Sequence, residues 1–329
     1  MLLCSKVPQF IQMDSNLSKP SARIDDSRLI RSVAVIGVGS MGAAIARLLQ
    51  KAGYALTVCD VNEAALARFE KEGARVVRKP ADCAGCDLVI VLVTTAPQVQ
   101  TVVMGDNGLH TGLRHDHQPV IAVMSTVPAD LIRHLELGLQ GLACSLMDAP
   151  ISGGLRRAEQ GTLTVMAGGD AAVIDAVRPV FANFASQVIR CGELGAGEKM
   201  KIVNNIVGNT NTFITAEAYR LASHFGLDIA DTARALDAAT GRNTFSADPE
   251  GLTETFAALV RDRASFDALL AVMRKDIAYA AQLAASEPGT YPTLDGIQAI
   301  MDTLGDETFD NWLFLADQGN GSQGRANDS

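Results

Sequence analysis

The sequence predicts an α/β protein in two parts: an N-terminal, mostly parallel sheet covered by helices, and a C-terminal all-α part joined to it by one long helix. Three observations predict it. From Ser32 to about Cys191, short Val/Ile/Leu runs alternate with amphipathic segments, the pattern of a sheet buried on both faces. A glycine-rich turn separates the first such run from the first helix. After Gly192 the strand-like runs stop and long Ala/Leu-rich helical patterns take over. A chain of 329 residues is also too long for one ordinary core.

Taken in order, residues 1–30 read as a flexible leader, because an early Ser and Lys interrupt any apolar core of a signal peptide. Residues 31–192 form the sheet domain. Val33–Ile36 is a strand, Gly37–Gly42 a turn, and Ala43–Ala52 a helix that Gly53 stops. Ala55–Cys59 is the next strand, ended by Asp60, and Asn62 caps a helix to about Lys71. Further strands are expected at Val76–Val77, Leu88–Val93, Val120–Met124, Leu146–Asp148, Leu163–Met166 and Gln187–Ile189. Helices are expected at Pro97–Met104, Pro128–Leu137 and Ala171–Ala182. Residues 193–316 form an all-helical substrate and dimerisation domain, with helices at Ala196–Phe225, Ile229–Ala238, Phe266–Ala285 and Leu294–Leu304. Residues 317–329, rich in Gly, Asn, Ser and Gln, read as a disordered tail.

Composition excludes several classes of function. The net charge of −9 and the lack of a basic cluster argue against a nucleic-acid partner. No apolar run reaches membrane-spanning length. Most of the six cysteines lie in or beside apolar runs, which suits a reducing cytoplasm. Cys83-x-x-Cys86 has no second ligand pair, so no metal site is expected.

The turn Gly37-x-Gly39-x-x-Gly42 has the context that turns a weak motif into a Rossmann-type dinucleotide fingerprint: a strand before, a helix after, and Asp60 ending the next strand. Gly37 allows the tight turn, Gly39 lets a pyrophosphate approach, and Gly42 lets helix and strand pack closely. The N-terminus of the helix that follows would present free N–H groups to the phosphates, and Ser40 and Met41, inside the turn, are placed among the cofactor-binding residues. Asp60 would accept from a ribose 2′-hydroxyl and repel a 2′-phosphate, and no Arg follows it, so NAD is favoured over NADP.

A second constellation opens the long helix. Lys201 and Asn205, four residues apart, share a helix face, whereas Lys199 is placed with Val203 or at the solvent. A lysine desolvated toward neutrality can act as a general base. Ser152-Gly153-Gly154 can form a backbone nest for a carboxylate. Ser125 and Thr126 end a strand on the side where ligands sit in such sheets, and Thr126 also reads as a cap for the helix at Pro128.

These stretches resemble those of the β-hydroxyacid dehydrogenase family, which includes the 3-hydroxyisobutyrate dehydrogenases. The likeness runs from Ser32 to Leu315 and is carried by Gly37–Gly42, Ser125-Thr126-Val127-Pro128, Asp148–Gly154, Gly195–Asn205 and Arg274-Lys275-Asp276. The resemblance implies that Lys201 is the acid/base residue with Asn205 beside it. It implies that Ser125 and the backbone at Ser152, Gly153 and Gly154 hold the substrate, and that Leu92, Val93, Thr126 and Lys275 touch the cofactor. The expectation is an oxidoreductase moving a hydride between NAD and the hydroxyl of a short β-hydroxy acid, or reducing a semialdehyde. Its partner is a small carboxylate, and the chain is expected to form a homo-oligomer, a dimer or tetramer. The alternatives are a non-catalytic dinucleotide-binding protein and a related reductase of imine or sugar-acid type.

Overall fold

The computed structural model describes residues 29–321, so nearly all of the expected leader and the last residues of the expected tail lie outside them. The sheet part runs β1 (Ser32–Ile36), α1 (Ser40–Lys51), β2 (Ala55–Cys59), α2 (Glu63–Lys71), β3 (Arg75–Val77), β4 (Leu88–Val91), α3 (Ala96–Met104), α4 (Leu109–Gly112), β5 (Val120–Val123) and α5 (Ala129–Gly138). It continues with β6 (Ser145–Asp148), β7 (Ile151–Ser152), α6 (Gly154–Glu159), β8 (Leu163–Gly168), α7 (Ala171–Phe181) and β9 (Ala185–Gly192). The helical part holds α8 (Ala196–His224), α9 (Ile229–Ala238), α10 (Leu252–Leu259), α11 (Arg263–Ala285), α12 (Pro292–Met301) and α13 (Asp306–Gly321).

The sheet order is β3-β2-β1-β4-β5-β6-β8-β7, with β9 on β8. From β3 to β6 every pairing is parallel, the doubly-wound arrangement; β8 then runs antiparallel to β6 and β7. Period-two alternation explains why the central strands read as unbroken apolar runs. Val33 and Val35 of β1 pack into one core with Leu88 and Ile90 of β4. Ala34 and Ile36 pack into the other, with Val89 and Val91. A third core holds the helical part together around Trp312, which stacks on Phe213 at 5.6 Å and meets Phe266 edge-on at 5.5 Å.

Several boundaries differ from expectation for physical reasons. The strand expected over Leu88–Val93 ends at Val91; Leu92 still donates its N–H to Ile36 (2.8 Å), but Val93 turns to a side chain instead. Thr126 caps nothing: α5 starts at Ala129 after Pro128, without a side-chain cap. Two helices of the helical part, α10 and α13, stand where none was expected, although Leu252, Thr255, Phe256 and Leu259 of α10 have helical spacing. The helix α13 runs on to Gly321, into the stretch assigned to the tail. Trp312 and Leu315, both 1% exposed, seat it on α8 and α10. Among the described residues no helix is long and apolar enough to cross a membrane.

Candidate active site

The glycine turn lies between β1 and α1, at the carboxyl end of the sheet. Gly37 has φ +93°, and a Cβ there would overlap the Leu92 carbonyl oxygen and press on Val93. Leu92 and Val93 are thus brought against the turn. A Cβ on Gly42 would overlap the Gly37 carbonyl, whereas one on Gly39 would meet open space. No side chain caps the N-terminus of α1, so the N–H groups at Ser40 and Met41 have no side-chain partner there. An open approach at Gly39 and an uncapped helix end fit a bound pyrophosphate. Asp60 holds the turn from the far side: Oδ2 accepts the Val38 N–H (2.7 Å) and Oδ1 accepts that of Asn62 (2.8 Å). Asn62 in turn caps α2.

The start of α8 is fixed to the sheet by a buried carboxylate. Asp148, at the end of β6, is wholly buried and accepts the backbone N–H groups of Gly195 (2.7 Å) and Glu198 (2.8 Å). These are helix-terminal N–H groups that a local cap would normally satisfy; here the partner comes from 47 and 50 residues away. Burial nevertheless raises the Asp148 carboxyl above its usual range, against the pull of those N–H groups. Glu198 is also wholly buried, and its Oε2 accepts the Val127 N–H at 3.1 Å.

One turn further, Lys201 is 9% exposed while Lys199 is exposed. Burial pushes the Lys201 amine below its ordinary value of 10.5; Asp276 and, only in its ionised form, Glu198 oppose this, and Lys275 adds to the lowering. Asn205, on the same face, donates from Nδ2 to Asp276 Oδ2 at 2.7 Å. Its Oδ1 accepts from Asn204 Nδ2 (3.1 Å), which also reaches Ser152 Oγ (3.4 Å). The network therefore joins β7, α8 and α11 and fixes which way the Asn205 amide points. On α11, the Lys275 ammonium donates to the Thr126 carbonyl (3.1 Å) and lies 3.3 Å from Asp276 Oδ1. Chemically, the arrangement offers an amine able to exchange a proton, an amide in a set orientation, and a cation between them and the sheet.

Gly153 (φ +133°) and Gly154 (φ +71°) both adopt conformations that favour glycine, and Gly154 opens α6. Ser125 differs from the expected picture. It is 2% exposed, and its Oγ accepts the Val93 N–H at 2.8 Å, so the hydroxyl joins the ends of β4 and β5. Among the described residues no cluster of His, Cys, Asp and Glu has an arrangement that would hold a metal; Cys83 and Cys86 are buried free thiols. Three contributors were not singled out from the sequence. Asp148, Asp276 and Glu198 all lie within the family-like stretches, but their partners are remote in the chain. Glu198 had one usable signal, a position three residues before Lys201 on a helix.

Residues 32–192 match the family described as the NAD binding domain of 6-phosphogluconate dehydrogenase. Residues 195–312 match the one described as NAD-binding of NADP-dependent 3-hydroxyisobutyrate dehydrogenase. The chain is similar to L-threonate dehydrogenase of Cupriavidus necator, 34% identical over 200 residues, which is 60% of this chain and 67% of that one. It is also similar to the NAD-dependent L-serine dehydrogenase of Pseudomonas aeruginosa, 32% identical over 216 residues, 65% of this chain and 72% of that one. A solved structure of Mycobacterium tuberculosis 3-hydroxyisobutyrate dehydrogenase with L-serine superposes with a TM-score of 0.69 at 25% identity, covering 84% of this chain and 94% of that one.

Proposed function

The chain belongs to the β-hydroxyacid dehydrogenase family, and on that premise we propose that it moves a hydride between NAD and the hydroxyl of a short β-hydroxy acid, with Lys201 as general acid/base. The supporting observation is the Lys201 amine: buried, lowered in pKa, and on one helix face with an oriented Asn205. When bound, the nicotinamide supplies the hydride acceptor. In oxidation, neutral Lys201 takes the hydroxyl proton; in reduction, its ammonium returns that proton and steadies the developing oxyanion.

The remaining roles follow from chemistry. Gly37, Gly39, Ser40, Met41 and Gly42 present the pyrophosphate-binding turn and helix end. Asp60 has lone pairs left for ribose hydroxyls, and its charge favours NAD over NADP. Leu92 and Val93 wall the turn, with Ser125 holding Val93 in place. Thr126 and Lys275, bonded to each other, border the cofactor on the far side. The Ser152–Gly154 backbone receives the substrate carboxylate.

The partner expected besides substrate is a second copy of the chain. Met200, Val207, Ile214 and Leu221, seven residues apart on α8, are all exposed with Val203, an apolar stripe that supports self-association. The free thiols fit a reducing, cytoplasmic compartment.

The test is a coupled NAD and NADP screen over 3-hydroxyisobutyrate, glycerate, threonate, serine and 4-hydroxybutyrate. Lys201→Ala should lower kcat on the best substrate by about 10³-fold while NAD binding, read by calorimetry, persists. Near-normal turnover in that variant would remove the assignment.

A further inference from the structure

Two wholly buried carboxyl groups, Asp148 and Glu198, meet at the base of α8, and they are equipped very differently. Asp148 accepts two backbone N–H groups, those of Gly195 and of Glu198 itself. Glu198 receives one, from Val127, and its Oε1 is buried without a hydrogen-bond partner. Two neighbouring buried carboxyls do not both ionise, and the charge settles on the one with more donors. A buried carboxylate left with a single donor is costly.

The groups facing Glu198 come from each element packed around it: Asp148 on β6, Lys201 on its own helix, and Lys275 and Tyr279 on α11. Burial raises the Glu198 carboxyl well above its ordinary range; Asp148 raises it further, and the Val127 N–H and the two lysines oppose this without cancelling it. The geometry has a second consequence. Val127 follows Thr126, whose carbonyl receives Lys275, so the Glu198–Val127 bond ties the Ser125–Pro128 segment to the helix that carries Lys201.

We propose that Glu198 is a positioning residue for Lys201 that works as an uncharged acid: its carboxyl ties the Ser125–Pro128 segment to the first turn of α8 and, by keeping its proton, leaves Asp276 as the acidic group that acts on the Lys201 amine. The inference rests on Lys201 being the acid/base group. It explains how an amine can sit beside two acids and still be released toward neutrality: one of the two is silent.

Infrared difference spectroscopy at neutral pH between the wild type and Glu198→Gln tests the protonation state without using activity. The expected result is a protonated-carboxyl carbonyl band that vanishes in the variant; loss of a carboxylate band instead would overturn the proposal. The pH profile of oxidative kcat/KM tests the link to Lys201. Glu198→Gln keeps a neutral acceptor for Val127 and should leave the acid limb where it is, whereas Asp276→Asn removes a negative charge and should move that limb to lower pH. An equal shift in both variants would mean that Glu198 is ionised and the proposal wrong. Glu198→Ala frees the Val127 N–H and should lower kcat by on the order of tenfold, with Glu198→Gln restoring most of it; equal losses in the two would overturn the tie. If Asp276→Asn leaves the limb in place, Lys201 is not the titrating group, and the reading beneath the inference fails instead.

Discussion

Asp60 and Lys201 each carry a charge whose neighbours can be named, and each gives a measurable consequence. Asp60 braces the glycine turn through Val38 and Asn62. Asp60→Ala should therefore both weaken NAD and narrow its advantage over NADP, read as the ratio of kcat/KM with the two cofactors; an unchanged ratio would show that the charge does not select. Lys201 titrates below 10.5 because it is buried. On the role proposed for Lys201, oxidation needs the neutral amine, so its kcat/KM should fall as pH drops through that pKa. Reduction needs the ammonium and should fall as pH rises through it. Profiles of the two directions with the same slope would contradict the role. That Lys201 and Asn205 share a helix face was legible in the sequence, because i and i+4 spacing is a local property. Asp276 was not, because Asn205 lies 71 residues from it and no local pattern carries that contact. The bond of Ser125 to Val93 was equally hidden, because it joins two strand ends 32 residues apart.

The helix α8 is held at its N-terminus by a side chain from the sheet, and this is where an element-scale prediction belongs. Asp148→Ala leaves two buried N–H groups without a partner and should cost about 3 kcal/mol, seen as a lower Tm and a lower denaturation midpoint. A stability loss no larger than that of a surface substitution would mean that the cap is dispensable. Elements with strong periodicity were readable in advance. The runs Leu88–Val91 and Val120–Val123 are buried strands because both of their faces are covered. The two-residue strand β7 was not readable, since it exists only through its pairing with β8, and the edge strand β9 runs longer than its apolar residues indicate.

For the whole molecule, the exposed stripe on α8 predicts an association state. Val207→Asp with Ile214→Asp should shift the protein toward monomer in sedimentation, because charge replaces apolar surface at the middle of the stripe. An unchanged mass would place any interface elsewhere. The division into sheet and helices was visible in the change of texture at Gly192. The way the halves communicate was not, because it depends on single long-range bonds such as Val127 to Glu198 and Lys275 to Thr126. One of these attachments also has a mechanical meaning. Asp148 fastens the Lys201 end of α8 to the sheet, and Asn205, one turn past Lys201, fastens the same helix to Asp276 on α11. The Lys201 segment is thus pinned from two sides like a beam with two supports, and a displacement of the helical part against the sheet would have to strain one of these anchors.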